Sequence, residues 1–300
     1  MRRGRVMAGF MRIRVEDVEH GCCVMLQHVI RSVLGQEQGG RLAMIDSGSS
    51  SDFKPSTVIK SLGRDVLDYL FITNADQDHM SDLKGLEDAG IYVETLIRNP
   101  SYTSDQIWAV KRAGGPLTDD AQWYVNACRE YTGGPPVVPF DQGMGGITYR
   151  SFWNTYGTGS GQFTDTNNLS LVVFIKYGNF KMLFPGDLER AGWLELLKRS
   201  DFRAELIDTD VLMASHHGRD NGYCEEIFKY FTPSCVVISD KAKEHETQET
   251  VPDYRKVISA KGVKVRTTMK DRHVLTTRRD GHIVFDVDGT YYTIDTEYRG

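Results

Sequence analysis

The 300 residues carry 36 Lys and Arg against 41 Asp and Glu, a formal charge of −5. That length suffices for one large α/β domain or two smaller ones with a substantial core. The balance excludes a generally basic nucleic-acid coat protein, although not a local basic groove. The cysteines Cys22, Cys23, Cys128, Cys224 and Cys235 are odd in number and form no CxxC pair, which points to reduced thiols, with Cys22 and Cys23 as strand residues rather than ligands. Arg2, Arg3 and Arg5 precede no apolar run of signal-peptide length, and no stretch is long enough to span a bilayer. The expectation is a cytoplasmic chain without a membrane partner.

In chain order, residues 12–18 and 22–30 read as strands joined by a Glu19-His20-Gly21 turn, with His20 as a turn residue. Residues 41–45 form a strand ending in Asp46-Ser47-Gly48, where an acid can orient its neighbours but is also a routine loop residue. A helix over 55–62 closes at Gly63. The apolar, aromatic run 67–72 then reads as a buried strand leading into Thr73-Asn74-Ala75-Asp76-Gln77-Asp78-His79, and a short helix over 81–90 follows. Residues 91–97 predict a strand, and 104–113 and 118–131 predict helices in which Trp108, Trp123 and Tyr124 serve packing or, as the lesser alternative, line a substrate cleft. The Gly-rich stretch 157–161 lacks the Lys-Ser/Thr of a phosphate loop. Two β-prone runs, 171–177 and 180–184, flank a Gly178-Asn179 turn and predict a hairpin that ends at Pro185-Gly186-Asp187. Beyond it lie a helix over 188–199, a strand over 210–215 with His216-His217-Gly218 at its mouth, a helix over 225–231, a strand over 234–239 and a helix over 251–260.

Metal-type donors thus appear at three separated strand ends: Asp76, Asp78 and His79; Asp187; and His216 with His217. Asp76 and Asp78, two apart on an extended turn, can point the same way. Groups that would repel one another are tolerated together when a divalent cation supplies the opposing charge. In an α/β sheet, ligand sites collect at one set of strand ends, so the three segments can converge. The bland alternative is a solvated turn whose Asp residues cap the next helix.

The ordered set Asp17-Val18 with Gly21, Asp46-Ser47-Gly48, Asn74 to His79, Asn167-Asn168-Leu169-Ser170, Gly186-Asp187-Leu188 and His216-His217-Gly218 resembles the metallo-β-lactamase fold, and within it the branch of the ComEC hydrolase domain. The resemblance spans residues 12–290 as a single domain, with 1–11 and 291–300 as extensions. It implies a four-layer αββα sandwich with a metal site along one edge. Asn74 stands where that motif opens with His, and a carboxamide weakens a site built for two borderline-soft ions. The implied ligands are Asp78, His79, Asp187 and His216, then Asp76. They would hold one or two divalent ions, Mn²⁺ or Zn²⁺.

Such an ion makes water nucleophilic and polarises the scissile group. Asp76 or Asp78 could orient that water, and His217 and His245 could protonate the leaving oxygen or contact a phosphate, His245 otherwise lying in a solvated loop. Asn168 and Lys241 are expected on the substrate side. The resemblance implies phosphodiester cleavage of a nucleic acid or nucleotide, and the cation-rich stretch 255–279 could track a phosphate backbone or simply face solvent. Two other readings stay open: a degenerate binding module, motivated by Asn74, and a lactone or thioester hydrolase, since one fold hosts many chemistries.

Overall fold

Side-chain parity along the strands sets the layers. In Val24–Arg31 and Glu37–Ile45, Leu26, Ala43 and Ile45 enter one apolar cluster while Met25, Leu42 and Met44 enter another, because successive residues of a strand face opposite ways. In Val172–Tyr177, Val173 and Ile175 join the first cluster and Val172 and Phe174 a third. The computed structural model, which describes residues 8–133, 136, 138–159, 162–242 and 248–298, therefore has two sheets sharing a central core, each with a second buried face.

Among the described residues, the larger sheet has nine strands in the spatial order Lys270–Arg272, Val263–Val265, Tyr292–Thr296, Ile283–Val287, Ala8–Val15, Val24–Arg31, Glu37–Ile45, Tyr69–Phe71 and Leu96–Ile97. The smaller has six: Val274–Thr276, Cys235–Ile238, Val211–Met213, Phe180–Phe184, Val172–Tyr177 and Thr148–Phe152. Helices Pro55–Ser61, Leu83–Asp88, Ser104–Ala113 and Asp119–Glu130 cover the outer face of the first through Ile59, Leu83, Leu86, Ile107 and Tyr124. Arg190–Leu196, Ser200–Leu206 and Val251–Val257 cover the second through Trp193, Phe202 and Tyr254. This is the αββα sandwich.

Several elements differ from expectation. The strand expected over 67–72 is divided: Val66–Leu67 pairs with Tyr92–Val93 in a small sheet of its own, and Tyr69–Phe71 joins the large one. The break falls at Asp68, buried with its carboxylate accepting from Leu42 N at 2.8 Å and from Arg41 at 2.7 Å. The helix expected over 188–199 ends at Leu196, and Glu225–Lys229 is only a 3₁₀ segment. Residues 8–11 and 292–296, expected in extensions, belong to sheet strands, and their Met11 and Ile294 enter the central core.

For the site, direction is what counts. Glu37–Ile45 runs parallel to Tyr69–Phe71, and Phe180–Phe184, Val211–Met213 and Cys235–Ile238 run parallel to one another. Their carboxyl ends deliver Asp46, the 73–79 turn, Asp187, His216-His217 and Asp240 to the same edge of the sandwich.

Candidate metal centre

Asp78, His79, Asp187 and His217 converge, each offering one ligand atom, all within 4.8 Å of one another. His79 Nε2 lies 3.0 Å and His217 Nε2 3.4 Å from the same oxygen, Asp187 Oδ1, and His217 Nε2 is 3.1 Å from Asp78 Oδ2. His79 Nε2, His217 Nε2 and Asp187 Oδ1 are buried without a properly aligned hydrogen bond. Buried polar atoms are nearly always satisfied, and three orphans brought together with Asp78 form a donor set that a divalent cation could complete. Two carboxylates and two imidazoles suit Zn²⁺ or Mn²⁺.

The far side of each ring is fixed. His79 Nδ1 is 2.7 Å from Asp46 Oδ2, and His217 Nδ1 is 3.0 Å from the carbonyl of Ser239. An Nδ1–H donated to oxygen leaves Nε2 as the lone-pair face, the orientation that metal-ligating histidines adopt. Asp46 is itself held, accepting from Thr73 N at 2.7 Å and from the Thr73 hydroxyl. The turn carrying Asp78 is pinned through its carbonyl by Cys22 N at 3.2 Å. Gly21 and Gly48 press on that carbonyl so closely that a Cβ at either would lie 2.2 or 2.6 Å from it.

Charge follows from burial and proximity. Burial favours neutral His79, but the carboxylates of Asp187, Asp46 and Asp78 outweigh it and raise its pKa well above the ordinary value. His217 is likewise desolvated, and Asp187 and Asp78 lift it to about 10. Burial opposes ionisation of Asp187 and Asp78, yet the adjacent imidazoles hold both below the usual carboxylate range. Burial pushes the Cys22 thiol up, away from the thiolate a metal needs.

His216 is not in the cluster. It and His217 have left-handed backbones, φ 50° and 53°, an uncommon conformation for non-glycine residues that turns neighbouring side chains to different sides. His217 enters the centre, whereas His216 Nδ1 faces Glu189 at 3.9 Å. Asp76 also stands outside, bonded to Lys111 at 2.7 Å. Asn168 is spent on the fold: its Oδ1 accepts from Gly192 N at 2.8 Å and its Nδ2 donates to Asp165 at 3.1 Å. Lys241 follows Asp240 and donates its backbone N–H to that carboxylate at 2.9 Å. His245 lies outside the described residues. The cations of 255–279 mostly find local acids: Arg272 with Asp280 at 2.9 Å, Lys256 with Asp253 at 2.7 Å and Arg266 with Asp295.

Sequence reasoning did not single out Asp240 or Lys111, and it placed His20 in a turn. His20 Nε2 is 3.3 Å from Asp78 Oδ2, and its Nδ1 is 3.4 Å from the buried Asp240, which Gln248 and Arg278 also hold. An acid two residues beyond the strand Cys235–Ile238 repeats the strand-end pattern of Asp46 and Asp187 and was the available signal.

No curated protein matches the chain. Among solved structures, a mutant of the CmlA β-hydroxylase is similar at 14% identity and TM-score 0.46, covering 91% of this chain and 53% of that one. The chain thus spans about half the length of that structure. A diphosphatase of the PhnP family is similar at 11% identity and TM-score 0.41, covering 89% of this chain and 94% of that one. No helix among the described residues is long and apolar enough to cross a membrane. The model of the Metallo-beta-lactamase superfamily matches residues 29–216, more than half of the sequence, and the chain belongs to that superfamily.

Proposed function

We propose that the protein is a metal-dependent hydrolase of phosphodiesters. The observation that carries the metal is the convergence of Asp78, His79, Asp187 and His217 with unpartnered buried atoms at its focus. Asp78, His79, Asp187 and His217 would hold an ion whose Lewis acidity would act on a water and on a phosphoryl oxygen. Asp46 and Ser239 keep the two imidazoles in the ligating orientation. His20, partly exposed and tethered between Asp78 and Asp240, stands beside the centre as the candidate for proton transfer to a leaving oxygen.

An anionic substrate is supported by Arg219, two residues beyond His217. Its Nε is buried without a partner, no ion pair engages its guanidinium among the described residues, and its charge bears on His216. A planar guanidinium is suited to bidentate contact with phosphate. The motif order resembling the ComEC hydrolase domain supports a phosphodiester over a lactone or thioester.

The test is turnover of a bis-aryl phosphate, single-stranded DNA and RNA with Mn²⁺, Zn²⁺ and Mg²⁺. Cleavage lost in Asp187→Asn and weakened through KM in Arg219→Met is the expected result. Absence of turnover with every ion, or full activity in Asp187→Asn, overturns the proposal. A metal-free purified protein that still binds a nucleotide would instead favour the binding module motivated by Asn74.

A further inference from the structure

Asp76 precedes Asp78 on the same turn, but its surroundings are of another kind. Lys111 Nζ is 2.7 Å from Asp76 Oδ1, the Thr166 hydroxyl donates to Oδ2 at 2.8 Å, and Asn74 Nδ2 donates to the same oxygen at 3.4 Å. Both oxygens are engaged by donors, and one donor is a full positive charge. Asn74 Nδ2 also donates to Asn167 Oδ1 at 3.0 Å, and Asn167 Nδ2 in turn to Glu189 at 3.1 Å. The unpartnered side-chain oxygen in this half is the buried Asn74 Oδ1, a single neutral ligand.

Lys111 is positioned by structure rather than by chance encounter. It lies in the last turn of Ser104–Ala113, a helix closed at its start by the reciprocal Thr103–Gln106 capping box, and its side chain is only 18% exposed. A held ammonium is a point charge on the carboxylate, and a divalent ion bound to Asp76 would have to displace it.

We infer that Lys111 replaces a second cation: the chain holds one divalent ion, on Asp78, His79, Asp187 and His217, while the Lys111 ammonium neutralises Asp76. This inference rests on the metal centre proposed above. It makes Lys111 a positioning residue that fixes the Asp76 side of the turn, and it sets the metal content of the protein.

The experiment is elemental analysis and calorimetric titration of the full chain with Mn²⁺ and with Zn²⁺. The wild type should take up one equivalent. Asp76→Asn should keep that equivalent with affinity changed by less than about threefold, below the ten- to hundredfold cost of losing a group that hydrogen-bonds a ligand. Lys111→Met, at a helical position where Met is well tolerated, combined with Asn74→His, should gain a second, weaker equivalent. Two equivalents in the wild type, or loss of the sole equivalent in a folded Asp76→Asn, identifies Asp76 as a ligand and overturns the inference. Failure of the double variant to gain an ion overturns the role given to Lys111. No bound metal in the wild type removes the centre itself, a separate failure from that of the single-ion assignment.

Discussion

The turn from Asn74 to His79 contains two carboxylates two residues apart, and they live in opposite environments. Asp78 faces two imidazoles and a second carboxylate, with orphaned atoms beside it. Asp76 is paired with an ammonium and a hydroxyl, and both its oxygens are occupied. A cluster that is satisfied needs nothing more, whereas one that concentrates unpartnered donors retains that cost only if something else completes it. Of the two carboxylates on this turn, the one beside unsatisfied atoms is the one that belongs to the candidate centre.

The strongest way to break this contrast is at the unsatisfied half. Asp187→Asn and His217→Gln should each lower metal affinity by more than about a hundredfold, since losing a ligand exceeds the ten- to hundredfold cost of losing its hydrogen-bond partner. His216→Gln, one position away, should stay within about threefold on the same scale, and competition titration with a chelator compares the three. If His216→Gln is the damaging change, the assignment of His217 falls.

Next in size is Asp46→Asn, which removes the carboxylate behind His79 and should cost about ten- to a hundredfold in metal affinity. An unchanged Kd would separate Asp46 from the centre.

The pH dependence sharpens the contrast without mutation. In the metal-free chain the raised pKa values of His79 and His217, that of His217 to about 10, favour their charged forms at neutral pH. Ion binding must expel those protons, so affinity should climb with pH by ~10-fold per unit for each proton released. Titration in buffers of different ionisation enthalpy counts them. For folding of the metal-free chain the sign is opposite: the stability contributed by a raised His217 is complete below its unfolded value of 6.5 and fades as pH rises through about 10. Urea unfolding followed over that interval is the check, and flat stability there would contradict the charged pair.

The smallest effect belongs to Asn168→Ala. It strands the Gly192 N–H, and we expect about 1–3 kcal/mol of lost stability with metal affinity intact. Retained stability together with a raised KM would return Asn168 to the substrate side.

Much of this site was legible in the sequence because its donors lie in the loops that leave apolar β runs: Asp187 after 180–184, the His pair after 211–213, and Asp78 and His79 on the turn after 69–71. What was not legible has two physical origins. Pairings such as Lys111 with Asp76 and His20 with Asp240 join positions 35 and 220 apart, a separation no local pattern records. The choice between His216 and His217 is made by two left-handed residues in succession, a backbone event invisible in side-chain type. The same holds for the split at Asp68, where the interruption comes from Arg41 and the Leu42 amide, both on another strand. The edge strand Thr148–Phe152 and the short strands at 263–265 and 270–272 carry too few residues for periodicity to announce them.

Asp78 and His79 are delivered by the larger sheet, and Asp187 and His217 by the smaller. An ion gripped by all four is thus shared between the two layers of strands, and its binding energy adds to the cohesion of the sandwich as well as to chemistry. Chelation should then loosen the seam between the sheets at that edge first, with amide exchange quickening around residues 73–79 and 214–218 before it does so in the central core.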